Sequence, residues 1–416
     1  MLRQIRWIGC LLLLSLLFSG CAENAAQNQS TLNHPVIRVF LLEDAASASV
    51  AGSSLRVSLQ MQNAEQIISS PRIGALPLYR RPDGWQLGSA HFPTGILQIQ
   101  PGNDAGIRVN GLAYRGRFLF IPLADGKFNV LNDVDVDDYL RGVVAKEMYP
   151  KWPLEALRSQ AIVSRTYVLY VAHTDGLTRA WDVYADQRSQ VYGGIAAETS
   201  ASREAVDSTR GIVLTYGPGT GKIFKAYFSS CCGGVSQAAS DAFPGDPYIE
   251  PLAEHYRGPI CSASKYYNWG PIILSKSEVT RRIHAWAVHS SSIQGRAAPE
   301  LNITGIYRVD VQTVNRYGRP SHVLITDIRG IQYNWPAEQL RTVMNFDPGS
   351  GPTLPSSYCK IDAPPGSDSV RFFDGHGYGH GVGMCQWCAE ARAEAGWSCV
   401  RILTEAFPQA KLIPAY

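Results

Sequence analysis

The chain has 416 residues, 45% hydrophobic and 10% aromatic, with a formal net charge of +3. That apolar content supports a real core and excludes a disordered chain. No basic run stands out, which argues against nucleic acid as a partner; a neutral polymer such as a glycan fits better.

The N-terminus reads as an address. Arg3 and Arg6 precede an apolar run from Ile8 to Phe18, shorter than the roughly 20 residues that span a bilayer. Such a run followed by small residues is a secretion signal, expected over residues 1–20. Phe18-Ser19-Gly20-Cys21 resembles a bacterial lipobox, in which the cysteine is acylated and becomes the new N-terminus. Cys21 is therefore the expected lipid anchor, and residues 21–35, small and polar, the tether to the folded body. The remaining length of about 400 residues suffices for one large or two ordinary domains. Of the nine cysteines, Cys10 leaves with the signal and Cys21 carries lipid. Cys231, Cys232, Cys261, Cys359, Cys385, Cys388 and Cys399 remain. An oxidising compartment permits disulfides, so pairing is the expected fate of most of them.

Residues 36–130 are expected to be β-rich. Val36 to Leu42 and Leu55 to Leu59 read as strands. Gly111 to Gly116 and Phe118 to Ile121 suggest a hairpin turning near Gly116. From Asp137 the period changes: Leu140, Val143, Val144 and Glu147 share one helical face. Pro150 and Pro153 break that helix, and Pro153 suits the first turn of a second one running to about Ala172. Arg165 lies on that helix's apolar face with Ala161 and Val168. Residues 180–350 read as mixed strands and loops, and 349–368 as a Pro/Ser/Gly-rich loop that Cys359 could pin. A terminal helix is expected from about Met384 to Ala395, stopped by Gly396. The fold class is α+β: a mixed β-rich body carrying a helical motif region.

Three groups of residues carry chemistry. A carboxyl on an apolar stripe loses solvation, which raises its pKa and keeps it protonated near neutrality. Glu147 is thus a candidate general acid, the bland alternative being a glutamate turned to water at a fraying helix end. Arg165 could be functional or merely the partner of a buried carboxylate. The second group is Gly375-His376-Gly377-Tyr378-Gly379-His380-Gly381-Val382-Gly383. As an extended segment it would bare its backbone to a ligand and point His376 and His380 the same way; otherwise it is a glycine-rich turn packed on the core. The third is the vicinal pair Cys231-Cys232 with the Cys385/Cys388 CxxC. A structural zinc wants four N or S ligands, and vicinal residues on a strand face opposite ways, so one of that pair could join easily.

In order along the chain come Val134-Asp135-Val136-Asp137-Asp138-Tyr139-Leu140-Arg141-Gly142-Val143-Val144, Glu147-Met148, Trp152-Pro153-Leu154-Glu155-Ala156-Leu157, Gln160-Ala161 and Ser164-Arg165-Thr166-Tyr167. Ser189 to Gly194, Ala226 to Ser230 with Gly233-Gly234, and Gly379 to Met384 with Gln386-Trp387 follow. This series resembles the SpoIID/LytB family, sporulation stage II protein D and the amidase enhancer, from about Val36 onward. The resemblance implies a catalytic region over 131–416, with the amidase-enhancer-type segment at about 125–225. It further implies a lytic transglycosylase that cuts glycan strands between N-acetylmuramic acid and N-acetylglucosamine, with Glu147 as acid and Arg165 also needed. The sugar's own C6 hydroxyl attacks and leaves a 1,6-anhydro end, so the second carboxylate of ordinary glycosidases is not required. Arg165 is expected to contact substrate more than the carboxyl. Gln190, Tyr227, Ser230, His376, His380 and Gln386 are the expected substrate-binding residues.

Two departures qualify the resemblance. Ser229 stands where relatives often carry His in a region associated with zinc, and Cys385 and Cys388 stand where Ser and Gly are commoner. No cofactor is required; zinc remains an option, with Cys231 and Cys232 as candidate ligands. The rival reading is a non-catalytic glycan-binding enhancer of a cell-wall amidase. A zinc hydrolase ranks last for want of a HExxH-type motif. Expected partners are peptidoglycan strands, the membrane through Cys21, and a cell-wall amidase under the rival reading.

Overall fold

The computed structural model describes residues 34–59, 65–69, 74–102, 106–294, 299–349 and 351–416. The secretion signal, Cys21 and most of the tether lie outside them. Residues Val36–Ala415 form one compact unit of mixed α+β architecture.

A seven-stranded sheet runs in the order Val183–Tyr184, Val36–Ala45, Phe128–Asp135, Arg117–Pro122, Leu97–Pro101, Ser54–Leu59 and Glu65–Ser69. A six-stranded sheet is built from Leu112–Tyr114, Ile107–Val109, Ala48–Ala51, Leu76–Arg81, Gly84–Leu87 and Ala90–Phe92. The boundary drawn in the sequence at 130/131 falls inside the strand Phe128–Asp135, which leads straight into the first helix.

The expected hairpin around Gly116 does not form. Leu112–Tyr114 pairs with Ile107–Val109 in the smaller sheet, whereas Arg117–Pro122 pairs with Phe128–Asp135 and Leu97–Pro101 in the larger one. Gly116 is where the chain changes sheets. Its φ is +80°, and a Cβ there would sit 2.1 Å from the Asp133 carbonyl oxygen. A left-handed residue read as a hairpin turn is in fact a crossover.

Helix α1 covers Val136–Glu147. The Asp135 carboxylate accepts the N–H groups of Asp137 and Asp138, satisfying two of the orphan donors at its start. Tyr139, Leu140, Val143 and Val144 are fully buried, and each aliphatic side chain of this kind contributes about 1.5–3 kcal/mol. Met148 turns extended, and after Pro150 and Pro153 helix α2 runs over Leu154–Ala172 with Pro153 at its N-cap. Burial extends around much of α2, including Ser159, Gln160, Ser164 and Arg165, because other helices cover it. One is α3, Ser200–Asp207, closed by a Thr199/Ser202 capping box.

Besides α3 and a single helical turn at Ala239–Ala242, residues 180–350 hold two further α-helices where the sequence predicts strands and loops. They are α4, Lys276–Gln294, and α5, Ala337–Asn345. With the meander Ile306–Val314, Pro320–Asp327 and Gln332–Pro336 they enclose a second core including Val279, Ile283, Val323, Ile325 and Phe372. The expected terminal helix is α6, Gln386–Glu394, after which Gly396 takes φ +81°. A further helix follows, α7 over Cys399–Ala406, and the last strand, Lys411–Pro414, pairs with Ile212–Tyr216. No helix among the described residues is long and apolar enough to cross a membrane.

Gly116→Ala should lower stability by at least about 1–2 kcal/mol, the cost of a left-handed L-residue, with the clash at Asp133 adding to it. A fall in the urea midpoint at unchanged m reads this out; an unchanged midpoint would show that the crossover tolerates a side chain.

Candidate functional site

Glu147 is the last residue of α1 and is half-buried. Its Oε1 accepts the Val191 N–H at 2.8 Å. Burial pushes the carboxyl above its usual range and outweighs that single N–H, which favours the charged form. The negative end of the α1 dipole works in the same direction as burial. Both effects favour the neutral form of the carboxyl.

The backbone at Glu147 is held as well. Gln386, opening α6, donates its amide to the Glu147 carbonyl oxygen at 3.0 Å and to Gln160 Oε1 at 3.3 Å. Gln160 in turn donates to Ser164 Oγ at 2.9 Å, and Gln190 donates to the Ser164 carbonyl at 3.3 Å. Gln160 and Gln190 are completely buried and Gln386 nearly so. Gln190 and Gln386 were expected to bind substrate; the structure makes them a polar network that locks α1, α2, α6 and the 190 segment together. Gln160 was legible only as a motif residue, since its partner lies 226 positions away.

The expectation that Arg165 reaches the sugar is corrected. Its side chain has zero exposure and pairs with Asp137 at 2.8 Å. Its guanidinium also donates to the carbonyls of Thr209 (2.9 Å), Ile212 (3.2 Å) and Val206 (3.3 Å). A face shared with apolar neighbours shows that Arg165 points inward, not that it meets a ligand. It pins α1 and α3 to α2, which makes it a residue that positions α1. Asp137, the residue that decides this, is marked in the sequence only as the start of the helical period and as a motif residue.

Beside Glu147 stands an aromatic shelf. The Tyr149 and Trp152 rings are 5.2 Å apart and the Trp152 and Trp387 rings 5.0 Å, both edge to face. Tyr149 is 60% exposed and the two tryptophans half-buried, so the shelf offers apolar ring surface to an incoming ligand. The other expected contacts scatter. Tyr227 is buried, stacks on Phe243 and donates to Asp246 Oδ2 at 2.7 Å. The Ser230 carbonyl receives the Trp387 N–H at 3.1 Å.

His376 and His380 do not share a strand face. Only Gly375–His376 is strand, paired with Asn268–Trp269; Gly377, Gly379, Gly381 and Gly383 all take positive φ. The run packs on its own chain: Cys231 and Tyr378 exchange backbone hydrogen bonds of 3.1 and 2.8 Å, and a Cβ on Gly377 would meet the Cys231 carbonyl at 2.6 Å. His376 faces Asn268 at 2.8 Å. His380 contacts the rings of Tyr227 and Phe243, and burial lowers its pKa to about 4. It is therefore neutral near pH 7, and the Val382 N–H donating to Nδ1 at 3.0 Å leaves its proton on Nε2.

The cysteines also depart from expectation. All seven among the described residues are free thiols, so the anticipated disulfides are not formed. Cys359, expected to pin a loop, is buried in the second core. Cys232, Cys261, Cys385 and Cys388 converge, while Cys231 stays outside that group with Sγ 3.9 Å from the Cys261 carbonyl.

The family model described as SpoIID, stage II sporulation protein, matches residues 124–216, the stretch holding Glu147, Val191 and the buried Arg165. An uncharacterized protein of Brachyspira hyodysenteriae is 31% identical over 290 residues, covering 70% of this chain and 69% of that one. The chain belongs to the SpoIID/LytB family. The amidase enhancer of Bacillus subtilis is 26% identical over 305 residues, 65% of this chain but only 39% of the enhancer. A Chlamydia muridarum protein, also uncharacterized, is 28% identical over 200 residues, 45% of this SpoIID/LytB chain and 66% of its own length.

Removing one partner of a buried ion pair costs about 3–5 kcal/mol, whereas replacing both by apolar residues is often neutral. Arg165→Met should therefore destabilise the fold strongly, and Asp137→Leu/Arg165→Met should recover much of the loss in denaturant unfolding. An Arg165→Met protein of wild-type stability that fails only in catalysis would restore Arg165 to the substrate.

Proposed function

We propose that the protein cleaves peptidoglycan glycan strands by a lytic transglycosylase mechanism, with Glu147 as the acid. The observation that carries this reading is the Glu147 carboxyl itself: half-buried, raised in pKa, fixed by Val191 and next to an aromatic shelf. Pyranose rings have apolar C–H faces, and Tyr149, Trp152 and Trp387 supply the apolar surface that removes such faces from water. In the proposed reaction Glu147 gives its proton to the glycosidic oxygen as the bond to C1 of the muramic acid breaks. The C6 hydroxyl of the same sugar closes onto C1, and its proton returns to the Glu147 carboxylate. The products are a 1,6-anhydro end and a free 4-hydroxyl, with no water consumed and the acid regenerated.

The second reading is a glycan-binding platform that stimulates an amidase, favoured by the name of the Bacillus subtilis relative. A platform would use the aromatic shelf and leave the raised carboxyl without a task. In either case the protein would work at the cell wall, outside the cytoplasm, and we place it there with lipid on Cys21 as its anchor.

Stripped glycan strands incubated with the protein should yield fragments ending in 1,6-anhydro-N-acetylmuramic acid by mass spectrometry. Glu147→Gln should fold, retain glycan binding and lose about 10²- to 10⁴-fold in rate, the usual worth of a general acid. Because the acid must be protonated, activity should fall as pH rises through a pKa above the 4.5 of an ordinary glutamate. Reducing ends would indicate hydrolysis, and strand binding with no cleavage by the wild type would favour the platform.

For the anchor, detergent partitioning of wild type against Cys21→Ser is decisive. The wild type should enter the detergent phase and the variant should not; equal partitioning would end the lipoprotein assignment.

A further inference from the structure

Four buried thiols from three separate segments meet behind the aromatic shelf. Cys232 follows the Phe228–Ser229 strand, Cys261 ends a short turn of helix, and Cys385 and Cys388 sit at the start of α6. Their sulfurs all lie within 4.8 Å of one another. Cys232 Sγ is 3.7 Å from Cys261 Sγ and 3.9 Å from Cys388 Sγ. A disulfide requires about 2.05 Å, so these are not bonded pairs. Four sulfurs around one ion at the Zn–S distance of 2.3 Å stand about 3.8 Å apart along each tetrahedral edge.

The backbone supports the same reading. Cys385 caps α6 and its Sγ receives the N–H of Cys388 at 3.4 Å, while the N–H of Cys232 reaches the same sulfur at 3.3 Å. Two amides directed at one sulfur suit a thiolate acceptor better than a neutral thiol. Ordinary core packing would not need four sulfurs, from segments 29 and 156 residues apart, to point at one centre.

We propose that Cys232, Cys261, Cys385 and Cys388 form a closed structural zinc site. One Zn²⁺ displaces the thiol protons to solvent and is held by four thiolates, leaving a local charge of −2 that the amides of Cys232 and Cys388 help to offset. Four protein ligands fill the tetrahedron, so the ion has no open position for substrate or water. Its work is placement. The two residues between the CxxC ligands are Gln386, which holds the Glu147 carbonyl, and Trp387, which completes the aromatic shelf and packs against the cysteines. The ion thus fixes the turn that carries both residues.

Metal analysis of the native protein tests this independently of any cleavage activity. The wild type should carry one zinc per chain, released in step with mercurial titration of its thiols. Cys261→Ser and Cys388→Ser should lose the ion, and Cys399→Ser, outside the cluster, should keep it. Because the first two variants could misfold, cobalt(II) exchanged into the wild type provides a second readout, expected to show thiolate charge-transfer and tetrahedral d–d bands. Iron in place of zinc, disulfides among the four cysteines, or a folded native protein without metal would each overturn the proposal. A zinc-loaded protein that binds glycan without cutting it would sink the proposed chemistry and leave the metal site standing.

Discussion

The hydrogen bond from the Gln386 amide to the Glu147 carbonyl is the constraint on which the site depends. A helix end leaves its last carbonyls without partners, and α1 ends at the residue whose side chain matters most. Left to water, that end would fray and the carboxyl would regain solvation and its ordinary pKa. Gln386 satisfies the carbonyl, and Gln160, Ser164 and Gln190 extend the bond into a buried network. The elevated pKa is thus a property of the joint between α1, α2 and α6, not of the glutamate's immediate sequence.

A second layer supports the first. Arg165 reaches across from α2 to Asp137 on α1 and to three carbonyls around α3, so the far end of α1 is as firmly set as the end bearing Glu147. The charged pair and the amide network use different chemistry for the same purpose. One clamps the N-terminal turn and the other the C-terminal turn, with the apolar stripe of Leu140, Val143 and Val144 between them.

Much of this was legible in the sequence where the signal is local. The 3.6-residue period placed Glu147 on the buried stripe, and Pro150 and Pro153 marked the break between helices. Depth is not local, and there the reading failed. Arg165 and Glu147 both sit on apolar faces, yet the first is sealed behind α3 while the second stays half-open at a helix end. The alternating glycines from 375 to 383 suggested an extended chain because period-two spacing carries no information about φ. Helix α4 was missed because its apolar stripe, Val279, Ile283 and Ala287, is interleaved with serines, histidines and a buried Arg282. The cysteine spacing showed a vicinal pair and half of a metal motif. Only the fold brings Cys261 to them.

The Gln386–Glu147 contact joins positions 239 residues apart, which sets an order on when the site can exist. A chain emerging from a ribosome or a translocon presents Glu147 long before Gln386 and Trp387 follow. During that interval α1 can form, but its last turn is unclamped, its carboxyl is hydrated, and the shelf lacks its third ring. The proposed acid is assembled only when the final segment folds back. A proposed acid that closes last has no formed site to act from until the whole chain has folded.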